Sequence, residues 1–94
     1  MFIGSLTLDL FLPDVHSLKA KRSIVKSVLQ RLRNEFNVAT AEVGEQDRWQ
    51  LAQLGVVCVS SDGGYAEAQL QAVVDWIYEH RPDVQVSRAE IEIL

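Results

Sequence analysis

The stretch Asn37–Ser60, NVATAEVGEQDRWQLAQLGVVCVS, decides how the chain is read. Its opening NVATAEV is a short β-prone segment, GEQD is a turn, and RWQLAQLGVVCVS is a longer apolar strand. Two extended segments joined by a polar turn make a β-hairpin, with Gly44 supplying the turn's flexibility. The segments on either side of this hairpin then determine the fold.

Upstream, residues 2–12 alternate. Phe2, Gly4, Leu6, Leu8, Leu10 and Leu12 fall on one side, and Ile3, Ser5, Thr7, Asp9 and Phe11 on the other. A period of two with one apolar side is a strand with one strongly buried face. Pro13-Asp14 ends it, and Ser17 is the N-cap of a helix. From Leu18 to Glu35 the period becomes helical, because Val25, Val28, Leu29 and Leu32 recur at spacings of three and four. Phe36 extends the stripe, and Asn34 and Asn37 are stop positions.

Downstream, SDGG at residues 61–64 breaks the chain. A second helix is expected from about Tyr65 to His80, burying Ala66, Leu70, Val73 and Ile77 and ended by Pro82. The final segment, VQVSRAEIEIL, is a strand whose apolar parity shifts between Val86 and Ala89, which predicts a bulge near Ser87. The order is therefore β-α-β-β-α-β. Right-handed crossovers around a central hairpin give an α+β, ferredoxin-like βαββαβ sandwich: a four-stranded antiparallel sheet with two helices on one face.

Ninety-four residues with 48% hydrophobic and 23% charged content fit a single domain over residues 1–94. The opening MFIGSLTLDLFLP has no positive n-region and Asp9 interrupts its apolar run, so it reads as a strand and not as a secretion signal. No run approaches the ~20 apolar residues of a membrane span. The lone Cys58 lies inside LGVVCVS, as expected for a buried thiol in a reducing cytoplasm. His16 and His80 sit at loop–helix boundaries, where a solvated ring is the default, and Asp62-Gly63-Gly64 reads as a turn. Asp9 is expected to be solvated or paired with a cation of a neighbouring strand. With no HExxH, paired-cysteine spacing, Gly-rich phosphate loop or nucleophile elbow, the expectation is a protein without catalytic residues, metal or cofactor.

Charge is the uneven feature. Of nine Lys and Arg residues, six lie in residues 15–34: Lys19, Lys21, Arg22, Lys26, Arg31 and Arg33. No Asp or Glu accompanies them, so this segment is +6, and the net charge of −4 leaves −10 for the rest. At about 100° per residue, Arg22, Lys26 and Arg33 fall within about 60° of Lys19, beside the apolar stripe. Such a row is either a solvated face or a docking surface for an anion. Exposed helices usually mix signs, and like charges three or four apart repel by a few tenths of a kcal/mol. Lys21 falls at about 200°, within the stripe that faces the sheet, where it either pairs with a carboxylate or joins an anion site at the helix start. Trp76 is expected to pack. Trp49, at the start of the third strand, either packs across the hairpin on Val43 or stands exposed as a partner contact, as does Phe11 on the open sheet face.

Several runs carry a family resemblance: Ser17-Leu18-Lys19, Lys21-Arg22, Arg31-Leu32-Arg33, Phe36-Asn37-Val38, Ala41-Glu42-Val43, Asp47 and Trp49-Gln50. In combination they make the chain similar to the YlxP-like family of small bacterial proteins over essentially its whole length. Ala39-Thr40 departs from the Ser that members often carry there. The resemblance implies a ferredoxin-like fold and a cytoplasmic protein commonly encoded beside transcription elongation, translation initiation and ribosome maturation factors. It therefore implies an association with RNA or the ribosome. The functional expectation is a non-enzymatic binding protein whose basic first helix contacts an anionic partner. The alternative is an interaction protein that homodimerises through its open sheet face.

Overall fold

In a computed structural model describing residues 1–94, the elements are β1 (Phe2–Phe11), α1 (Leu18–Glu35), β2 (Ala39–Gly44), β3 (Leu51–Ser60), α2 (Gly63–His80) and β4 (Gln85–Ile93). The strands lie in the order β2-β3-β1-β4 with every neighbouring pair antiparallel, which is the expected ferredoxin-like arrangement. β1 and β3 pair along their full length, from Phe2 opposite Ser60 to Phe11 opposite Leu51. The alternation in the sequence explains why. Leu6, Leu8 and Leu10 of β1 share one side with Ala52, Leu54, Val56 and Cys58 of β3, and all are buried. Both helices close over this side. Val25, Val28 and Leu32 of α1 and Ala66, Leu70, Val73 and Ile77 of α2 complete one core cluster.

Both helices begin at a side-chain cap. Ser17 Oγ accepts from the Ala20 N–H at 3.0 Å, as its position predicts. Asp62 Oδ1 accepts from Gly64 N at 2.8 Å and Tyr65 N at 3.3 Å. The second cap corrects one expectation: Gly63 and Gly64 are the first residues of α2 and not a separate turn. α2 crosses β1 closely at Gly4, where a Cβ would stand 2.8 Å from Leu70 Cδ1 and 3.0 Å from Cys58 Sγ. Cys58 is buried, as expected.

The β1–β4 register shifts between Asp9, opposite Arg88, and Leu10, opposite Val86, so the expected bulge is at Ser87. Its hydroxyl donates to the Asp9 carbonyl at 3.0 Å. A second bulge, at Val43 in β2, places that side chain over Gly55 of β3. The hairpin turn differs from expectation. The residue with positive φ is Glu45, at 62°, and no glycine has one, so Gly44 does not act as the flexible turn residue. The loop is also longer, because β3 begins at Leu51 and leaves Arg48, Trp49 and Gln50 outside the sheet. No helix is long and apolar enough to cross a membrane.

Candidate nucleic-acid interface

The six α1 cations separate into three environments. Lys21 is fully buried. It is in the first turn of α1, and its ammonium lies 3.1 Å from Glu42 Oε2 on β2. It also donates to the Glu45 carbonyl in the hairpin turn. Of its two expected roles the structure contains the ion pair, which corrects its inclusion among anion-binding residues. Glu42 Oε2 is itself buried and takes no hydrogen bond, so the contact with the ammonium is an ion contact and its main compensation. The position of Lys21 within the apolar stripe left a carboxylate partner as one of two readings, and the sequence did not identify Glu42.

Arg31 is the second case. Its guanidinium lies over the Trp76 ring at 5.3 Å from the centroid, and Trp76 stacks on His80 at 4.8 Å. Arg31 therefore faces α2 and stands apart from the row, while Trp76 is buried as expected. His80 is exposed, with Nδ1 3.1 Å from the Trp76 carbonyl.

Lys19, Arg22, Lys26 and Arg33 form the third group, and all four are exposed. None has a carboxylate within ion-pair distance; the chain's salt bridges are Lys21–Glu42, Arg81–Asp83 and Arg88–Glu90. Arg33 is oriented by neutral groups, donating to Thr40 Oγ1 at 3.0 Å and Gln30 Oε1 at 3.2 Å. From Lys19 to Arg33 the row extends about 21 Å at the α-helical rise. The buried pair explains part of this isolation. The carboxylate on the α1-facing side of the adjacent edge strand is Glu42, and it is occupied by Lys21.

At the end of the sheet where α1 begins, the loops meet in a groove of about 600 Å³ between Phe11, Val15, His16, Arg48, Trp49 and Leu51. Trp49 is 53% exposed and Val43 56%, so the exposed alternative for Trp49 is the one realised, although the indole stands in the loop and not on β3. Phe11, the other expected contact, is half-buried at the end of β1 and lines the same groove. The loop is held by its backbone and by Lys21. The Glu45 carbonyl accepts from both the Lys21 ammonium and the Arg48 N–H, and Gln50 Nε2 donates to the Pro13 carbonyl at 3.1 Å. His16 and Arg48 carry no local sequence signal as contacts. Only the closure of the hairpin loop against the β1–α1 connection brings them together.

The open face of the sheet is divided. On β2 and β3 it carries Ala39, Ala41, Val43, Val57 and Val59, whereas β4 contributes Arg88, Glu90 and Glu92. Asp9, between these halves, accepts from Gln53 Nε2 at 2.9 Å, and Arg88 pairs with Glu90. Asp9 is thus paired with an amide of the neighbouring strand and not with a cation, one of the two settings expected for it. No three His, Cys, Asp or Glu side chains converge as a metal site would require.

A family model described as "Protein of unknown function (DUF503)" matches residues 3–91. The chain is also 37% identical to "Uncharacterized protein YlxP" of Bacillus subtilis (strain 168) over 90 residues, which span 94% of this chain and 97% of that protein.

Proposed function

The chain belongs to the DUF503 family, and we propose that it is a non-enzymatic protein that docks on the RNA phosphate backbone through its basic first helix, with the association with RNA or the ribosome that the family resemblance implies. Lys19, Arg22, Lys26 and Arg33 would each meet a phosphate. The observation that supports this reading is their isolation: four exposed cations on one helical row in an acidic chain, none with a carboxylate of its own. Like charges at this spacing cost a little stability, and neutralisation by an external polyanion offsets that cost and releases counterions. On this reading the protein works in the cytoplasm, where its lone Cys58 stays reduced.

Binding to a structured RNA should weaken steeply with salt. Each phosphate contact contributes about 0.7–0.9 to the slope of log K against log salt, giving roughly 3–4 for the row. Charge reversal at Arg22 and Lys26 together should lower affinity for all RNA sequences alike and reduce the slope by about two such increments. Unchanged affinity and slope in that variant would refute the reading.

A second reading, homodimerisation through the open sheet face, is supported by Val43, Val57 and Val59, which are 56%, 40% and 61% exposed on its β2–β3 half. Covering adjacent apolar side chains with a second copy removes them from water. Light scattering at high concentration tests it, and a monomeric mass would count against it.

A further inference from the structure

The groove at the start of α1 has features that the helix row lacks. Its walls combine two aromatic side chains, Phe11 and the exposed Trp49, with Arg48 and His16. None of the chain's thirteen acids lines it, although Asp14 and Asp47 adjoin lining residues in sequence. An indole with half its surface in water keeps a π-face for a planar partner, while a neighbouring guanidinium suits a phosphate. The groove is also preformed. Gln50 ties the loop to Pro13, and Glu45 is held by Lys21, so the backbone that carries Arg48 and Trp49 is already in place and only their side chains are ordered on binding. Its volume of about 600 Å³ is ample for one nucleotide. The basic row begins at Lys19, three residues beyond His16.

From this geometry we infer that the groove is a subsite for one unpaired RNA nucleotide, its base stacked on Trp49 against Phe11 and its phosphate held by Arg48. The inference rests on the RNA-binding reading and adds a preference: RNA with an unpaired end or bulged base binds more tightly than a plain duplex. Stacking is tolerant of base identity, because every base has a π-face, so the preference is for an unpaired base and not for a sequence. Lys21 acts here as a positioning residue, through Glu45, and does not touch the RNA.

The experiment compares two probes, an RNA duplex of about ten base pairs and the same duplex with a short single-stranded overhang, against the 94-residue chain and its W49A, W49F and R22E/K26E variants. W49A should lose about 5- to 100-fold in affinity for the overhang probe and leave duplex binding unchanged, with W49F retaining most of the overhang preference. The part of the tryptophan emission that is absent from W49F should be quenched by the overhang probe and not by the duplex. If R22E/K26E weakens binding of both probes while W49A acts on the overhang alone, both the row and the subsite stand. RNA binding that depends on Arg22 and Lys26 but shows neither quenching nor an effect of W49A overturns the subsite and leaves the row intact. Failure of the protein to bind either probe overturns both. Tight binding of the overhang probe by W49A, with circular dichroism unchanged, also refutes stacking without appeal to misfolding.

Discussion

Lys21 and Arg22 are adjacent on α1 yet have opposite surroundings. Lys21 is fully buried against Glu42 and the Glu45 carbonyl, whereas Arg22 is exposed with no acid beside it. The difference arises from helical geometry, which turns successive side chains by about 100°. One residue therefore meets the edge strand and its neighbour meets solvent. A charge committed to the fold cannot be removed alone without stranding its partner, while a charge left in solvent costs little to keep and remains available to a ligand. Much that is specific to this protein stems from that division. The paired cation orders the hairpin loop, and the unpaired ones line the face beside it.

The largest test of the contrast is at the buried pair. Glu42→Leu leaves the Lys21 ammonium without its carboxylate and is expected to lower stability by about 3–5 kcal/mol in chemical denaturation. Adding Lys21→Met to that variant removes the stranded charge while keeping an unbranched side chain of similar reach. The double variant should recover most of the loss, since well-packed apolar replacements of buried ion pairs are often neutral. A double variant no more stable than Glu42→Leu would mean that the tie to Glu45, and not the ion pair, secures the loop.

The exposed member behaves oppositely. Arg22→Glu replaces two like-charge neighbours, Lys19 and Lys26, by favourable pairs on the same helix face, and should raise stability by a few tenths of a kcal/mol. A loss above ~1 kcal/mol would show that Arg22 has a structural role after all.

The smallest effect sharpens the comparison at a third, intermediate cation. Hydrogen bonds from Arg81, at 3.0 and 2.7 Å, hold the Asp83 carboxyl below its ordinary value of 3.8, against an upward push from partial burial. Because the folded carboxyl ionises at lower pH than the unfolded one, this pair stabilises the fold above that ordinary value. The contribution fades as pH falls through the folded value. Asp83→Asn should therefore lower stability slightly at neutral pH, converge with the parent chain at low pH, and so flatten a small part of the acid limb of a stability–pH curve. An unaltered acid limb would show that solvent screening has cancelled the pair, a reasonable outcome for an Asp side chain that is 40% exposed.

The legible part of the site obeys the same division. The row of Lys19, Arg22, Lys26 and Arg33 could be drawn from spacing because a helix repeats wherever it is placed, and Leu18–Glu35 is the helix observed. Arg31 shows the limit of that projection: its angle separates it from the row, but only the packing of α2 brings Trp76 beneath it. Trp49 could not be assigned because its neighbours come from the β1–α1 connection, more than thirty residues away in sequence.

Periodicity in the sequence determined the six elements, their order, the Ser17 cap and the Ser87 bulge, since each reflects a repeat or a local hydrogen bond within a few residues. Tertiary structure decided which acid Lys21 meets, that Glu45 turns the hairpin with positive φ, and that Phe11, His16, Arg48 and Trp49 share one groove. Those choices depend on where distant segments come to rest against one another, and no local pattern along a chain encodes a distance across a fold.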